Sequence, residues 1–114
     1  MKKYNSIFII ILVTGLFANA QSNATKRADK LFSKFEFVEA AKAYKDIISK
    51  GDGDAYVYGK LAEAYYNVFN TVEAEKWYAK TLESSDTPET IYKYAQMLKA
   101  NGKYDDSNTQ MAKF

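Results

Sequence analysis

Small and aromatic positions recur along this chain at a fixed interval. Ala28, Ala40 and Tyr44 return as Ala62, Ala74 and Tyr78, each pair 34 residues apart. A third copy begins at Tyr94-Ala95-Gln96-Met97-Leu98 and runs through Gly102 to Ser107, with Met111 where the tyrosine would fall. Ala62 to Ala95 and Ala74 to Ser107 are 33 apart, so this copy is one residue shorter. A period in this range is the mark of a repeat architecture. Within each copy the apolar residues are spaced by three and four, as in Leu61, Ala62, Tyr65 and Ala74, Trp77, Tyr78, which places each set on one helical face.

The pattern predicts six helices, over 22 to 34, 37 to 50, 55 to 68, 71 to 84, 88 to 101 and 104 to the end, with no strand. The breaks carry turn chemistry: Gly51-Asp52-Gly53-Asp54, Ser84-Ser85-Asp86-Thr87-Pro88 and Asn101-Gly102. Thr87 ahead of Pro88 reads as a helix N-cap with proline at the first helical position. Alanine at 28, 62 and 95 on the first helix of each pair, and at 40 and 74 on the second, allows close approach between helices. Tyr44, Tyr65, Trp77, Tyr78 and Tyr104 fall at packing positions and are expected in the core.

Tyr58, Leu61, Ala62, Tyr65, Ala74 and Tyr78 resemble the tetratricopeptide pattern of aromatic, Leu, small residue and Tyr on one helix, then small and aromatic residues on the next. The first copy is more degenerate, with Ala24 and Arg27 where the pattern has an aromatic and Leu, and the third has Tyr94 for Leu. The resemblance implies an all-α fold, a helical hairpin solenoid of about three repeats (about 21 to 54, 55 to 87 and 88 to 114), the last incomplete. The sixth helix is short, and Phe114 falls where a following helix would pack. Because repeat arrays close with a polar cap, the natural chain is expected to continue, and this stretch alone is expected to be marginally stable.

Residues 1 to 20 alter the charge argument. Lys2 and Lys3, the apolar run Ile7 to Phe17 and the small-x-small site Ala18-Asn19-Ala20 read as a signal peptide, expected to be cut before Gln21. The apolar run of 11 residues is too short for a spanning helix. The chain has 16 Lys and Arg against 14 Asp and Glu; losing Lys2 and Lys3 leaves the mature repeat domain, 21 to 114, neutral. The surplus of +2 therefore belongs to the leader and is no argument for a nucleic-acid partner, which would call for a basic stripe on the folded part. Without cysteine there is no disulfide and no lipid-acceptor thiol, so an exported domain of this size relies on its core alone.

The missing residue types also limit the chemistry. No histidine and no cysteine means no His-based catalysis and no plausible zinc ligands, and no catalytic, cofactor-binding or metal site is expected. Asp52 and Asp54 fail the EF-hand spacing, with Val57 where glycine belongs, and are read as a turn that caps the next helix. Asp105 and Asp106 sit at a helix start, where carboxylates complement the macrodipole.

In tetratricopeptide arrays the first helix of each hairpin lines the concave face. Carrying those positions over implies a groove of Asp29 and Phe32, then Tyr56, Glu63, Tyr66 and Asn67, then Tyr92, Gln96 and Lys99. Tyrosines along such a groove suit peptide recognition, because they offer large area and a hydroxyl at low entropic cost.

The stretches LAEAYYNVFNTVEAEKWYAKTLE and PETIYKYAQMLKANGKYDDSNTQMAKF resemble the N-terminal repeats of OmpA-family proteins of the Bacteroidota. PorE-like members and partners of SprF/PorP-type barrels in the type 9 secretion and gliding machinery belong to this group. The resemblance implies a periplasmic, outer-membrane-associated docking module whose partner is a barrel of that type. Peptidoglycan would be reached only through C-terminal domains outside these residues. A periplasmic chaperone or assembly factor for exported clients is the alternative, and an accessory domain of an enzyme is a third.

Overall fold

The computed structural model describes residues 23–114; the signal-peptide assignment lies outside the described residues. Among the described residues there are six helices and no strand. They are α1 (23–33), α2 (Phe37–Ser49), α3 (Ala55–Asn67), α4 (Thr71–Leu82), α5 (Pro88–Ala100) and α6 (Tyr104–Met111). The all-α expectation holds: the starts of α2 to α6 coincide with the predicted ones, and the remaining limits differ by one to three residues.

Each helix from α2 onward packs on the one that follows it in the chain. Connections of three to five residues leave little room for any arrangement but a turn back along the preceding helix. The repeated small positions lie inside the packing: Ala28, Ala62, Ala95, Ala40, Ala74 and Ser107 are all buried. Ser107 keeps the position small, and its hydroxyl donates to the Ala95 carbonyl at 2.7 Å. Two clusters result. Ala28, Ala40, Tyr44 and Ile47 pack with Val57, Leu61 and Ala64 of α3. Ala62, Ala74 and Tyr78 pack with Met97 of α5. Polar pairs fasten the same neighbours. Asn101 at the end of α5 donates to the Thr71 carbonyl at 2.9 Å, and Lys103 pairs with Glu75 at 2.7 Å.

Helix starts follow the sequence. Asp54 accepts from the Val57 N–H at 2.9 Å, Asn70 from Glu73 and Thr87 from Thr90, with Pro88 at the first turn of α5. Four of the helix ends share one geometry. At Phe35, Gly51, Phe69 and Gly102 φ is positive. In each case the N–H of that residue and the next bond back to carbonyls three and five positions earlier, as in Phe69 to Tyr66 and Asn70 to Tyr65. This is the Schellman motif, in which glycine avoids a steric cost that any side chain incurs. Phenylalanine occupies two of the four sites and is 78% exposed at Phe35 and 88% at Phe69, so its ring recovers little by packing. Phe69→Asn, which adopts this conformation readily, is expected to raise stability by about 1 kcal/mol. Thermal melting would show this as a rise of about 4–8 °C.

Two expectations are corrected. Helix α6 ends at Met111 instead of running to the terminus; Lys113 and Phe114 bond to carbonyls three residues back in a tightened turn. Asp105, Asp106, Ser107, Asn108 and Thr109 are poor helix formers, and only Ser107 in this helix is buried, so little packing extends it. Tyr104 is not in the core but 62% exposed. Its counterpart in the first repeat, Phe37, is half-buried and shares a pocket with Tyr65 of α3 and Val68 just past its end. No described helix lies against Tyr104 in that way.

Candidate functional site

Helix α3 carries Tyr56, Lys60 and Glu63 at intervals of four and three, so they share one face. They open on a cavity of about 560 Å³. Tyr78 of α4 forms part of its floor, and Glu89 and Thr90 from the first turn of α5 close the far side.

Electrostatics differ from end to end of this cavity. Asp29 of α1 accepts hydrogen bonds from the hydroxyls of Tyr44 and Tyr56, the latter at 2.8 Å. Burial and then the Asp29 bond push the Tyr56 hydroxyl up to about 12. Lys60 holds its ammonium 4.3 Å from the centre of the Phe32 ring and 5.8 Å from that of Tyr56. It makes no ion pair with a carboxylate among the described residues, and aromatic faces are its recorded contacts there. Across the cavity, Lys93 pairs with Glu63 at 2.7 Å and Glu89 at 3.1 Å and lies over Tyr66. Burial draws the Lys93 ammonium down, but its bonds to the two glutamates outweigh this and hold it above the ordinary lysine range. The Tyr78 hydroxyl is buried and lacks a hydrogen-bond partner of acceptable geometry among the described residues. Burial, and then the nearby Glu63 charge, raise it well above the usual tyrosine range.

The expected groove residues do not form one lining. Tyr56 and Glu63 share the cavity just described, with Asp29 and Phe32 at its edge through Tyr56 and Lys60. The ring of Phe32 stands edge-on to Phe37 at 5.1 Å. Tyr66 is half-buried and packs edge-on to Tyr78, while Asn67 donates to the Glu63 carbonyl of its own helix at 2.7 Å. Tyr92, Gln96 and Lys99 line a separate cavity of about 320 Å³ between α5 and α6, with Tyr104, Ser107 and Met111.

Sequence reasoning omitted Lys60, Lys93 and the hydroxyl of Tyr78. Lys60 was legible: it lies four residues after Tyr56 and three before Glu63, on the same helical face. Tyr78 was assigned to the core, where its ring is, and nothing in the spacing indicates that its hydroxyl reaches a cavity wall.

The arrangement presents aromatic area and the Lys60 ammonium, which no carboxylate among the described residues pairs, a set suited to holding an extended polypeptide. Asp54 is committed to capping α3, and no group of three or more acidic residues among those described could hold a metal ion. No described helix is long and apolar enough to cross a membrane. No family model matches the chain, and neither does any curated protein.

Proposed function

We propose that the six helices are a tetratricopeptide-type hairpin array acting as a periplasmic protein–protein interaction scaffold. In this reading it is the N-terminal docking module of a longer OmpA-family envelope protein, and its partner is an extended segment of an outer-membrane barrel of the SprF/PorP type. The observation that carries the binding role is the cavity of about 560 Å³ where Tyr56, Lys60 and Glu63 face α5. The 34-residue recurrence of buried small positions supports the array, and the neutral mature charge favours a mixed polar and aromatic interface over a purely electrostatic one.

Titration of the barrel's periplasmic segment onto the full chain tests this. A variant carrying Tyr56→Ala and Lys60→Ala is expected to bind at least about tenfold more weakly, since anchors of this type each contribute on the order of 1 kcal/mol or more. Circular dichroism should show its helices retained. Undiminished affinity in that variant would reject the groove.

A further inference from the structure

Two residues on the wall of the cavity between α3 and α5 hold the fold below the stability that a closely related amino acid would give it. Gly59 lies inside α3 and lines the cavity. Glycine within a helix is less stable than alanine, because its backbone loses more freedom on folding. Packing does not demand it here: a Cβ at Gly59 would stand 3.7 Å from the Thr81 methyl and 3.9 Å from the Thr81 hydroxyl oxygen, which are ordinary contact distances. The bare backbone therefore leaves room that no neighbour in the chain uses.

Tyr78 is the second. It is 1% exposed and its ring packs with Ala62 and Ala74, a role that phenylalanine would fill equally well. Its hydroxyl is buried at the cavity and has no hydrogen-bond partner among the described residues. A group in that state lowers stability through its lost hydration. After burial itself, the charge of Glu63 on the same wall acts most on this hydroxyl. Glu63 is nevertheless out of bonding geometry, and its Oε1 atom is held by Lys93 at 2.7 Å. Thr81 offers no alternative acceptor site, because its hydroxyl is committed to the Trp77 carbonyl at 2.8 Å.

An O–H donor beside a carboxylate is the complement of a primary carboxamide. Oxygen and NH2 sit on one carbon there, so the group accepts from Tyr78 and donates to Glu63 together. A main-chain peptide unit does not, since its C=O and N–H point in opposite directions. A carboxylate would meet Glu63 with like charge, and an ammonium or guanidinium would leave the Tyr78 proton unpaired. Glu63 has the rotatable bonds to turn aside for the insertion. We infer that the cavity takes an asparagine or glutamine side chain of the bound segment, passed over Gly59 and held between Tyr78 and Glu63. The inference rests on the groove reading for its place and adds the residue type that the groove selects. Features kept against the fold's own stability belong to sites of function.

Selection of short random peptides, displayed on phage, against the full chain tests this. Bound sequences should converge on Asn or Gln at one position, enriched roughly tenfold, and selection on Tyr78→Phe should lose that preference. Gly59→Ala and Tyr78→Phe should each melt at or above the temperature of the parent, by up to about 8 °C, yet bind the selected peptide roughly tenfold more weakly. A purely structural role predicts the reverse, with lower melting and unchanged binding. Convergence on Asp or Glu, no convergence, or a preference kept by Tyr78→Phe would overturn the assignment, as would a lower melting temperature of that variant. Failure of the barrel segment to bind would reject the proposed partner alone, because the selected peptides are random.

Discussion

Tyr44→Ala should remove about 3 to 5 kcal/mol of stability, the range for deleting a large buried ring. A domain of this size has only about 5 to 10 kcal/mol to lose, so most of the helical signal should disappear at moderate denaturant. The ring has no exposure and is packed among Ala28, Ala40, Ile47 and Leu61, so it joins α1, α2 and α3 at one point. Tyr44→Phe separates ring from hydroxyl. It removes only the bond to Asp29, which keeps its contact with Tyr56, and should cost about 1 kcal/mol. Urea titration of both variants distinguishes the terms. Comparable losses for the two would mean that the hydroxyl, not the packing, holds this junction.

Alkaline pH should unfold the domain over a narrow range. Burial first, and then the charges of Asp29 and Glu63, hold the Tyr44 and Tyr78 hydroxyls far above the ordinary tyrosine value. In the unfolded chain they would ionise near pH 10. The folded state therefore binds more protons than the unfolded state above that pH. The stability these two groups confer is whole below pH 10 and falls as pH rises, at about 3 kcal/mol per pH unit for the pair. Tyr56, half-exposed and raised to about 12, adds less because water screens it. Loss of circular dichroism should coincide with a cooperative jump in tyrosinate absorbance between about pH 11 and 12. Smooth ionisation of every tyrosine of the domain near pH 10 with helices intact would contradict the burial of these two hydroxyls.

Where helices begin and end was readable wherever a residue's own chemistry marks the site. Gly51, Asp54, Thr87-Pro88 and Asn101-Gly102 are such places, and the structure uses each as expected. The turns at Phe35 and Phe69 carry no such mark, because phenylalanine is an unfavourable residue for positive φ; their place follows only from the repeat. Tyr104 shows the opposite failure. Its register is that of a packing residue, but burial requires a neighbour, and register alone does not supply one. The groove was partly legible for a related reason. Helical spacing groups Tyr56 with Glu63, whereas the separation of Tyr92, Gln96 and Lys99 into another cavity depends on which helices stand beside α5.

The polar pairs that fasten neighbouring helices join residues close in sequence: the links from Thr71 to Asn101 and from Glu63 to Lys93 each span 30 residues. A chain built from such contacts closes only short loops as it folds, and each closure carries a small entropic cost. During synthesis each hairpin acquires its partners soon after the next helix appears, before the later ones are available.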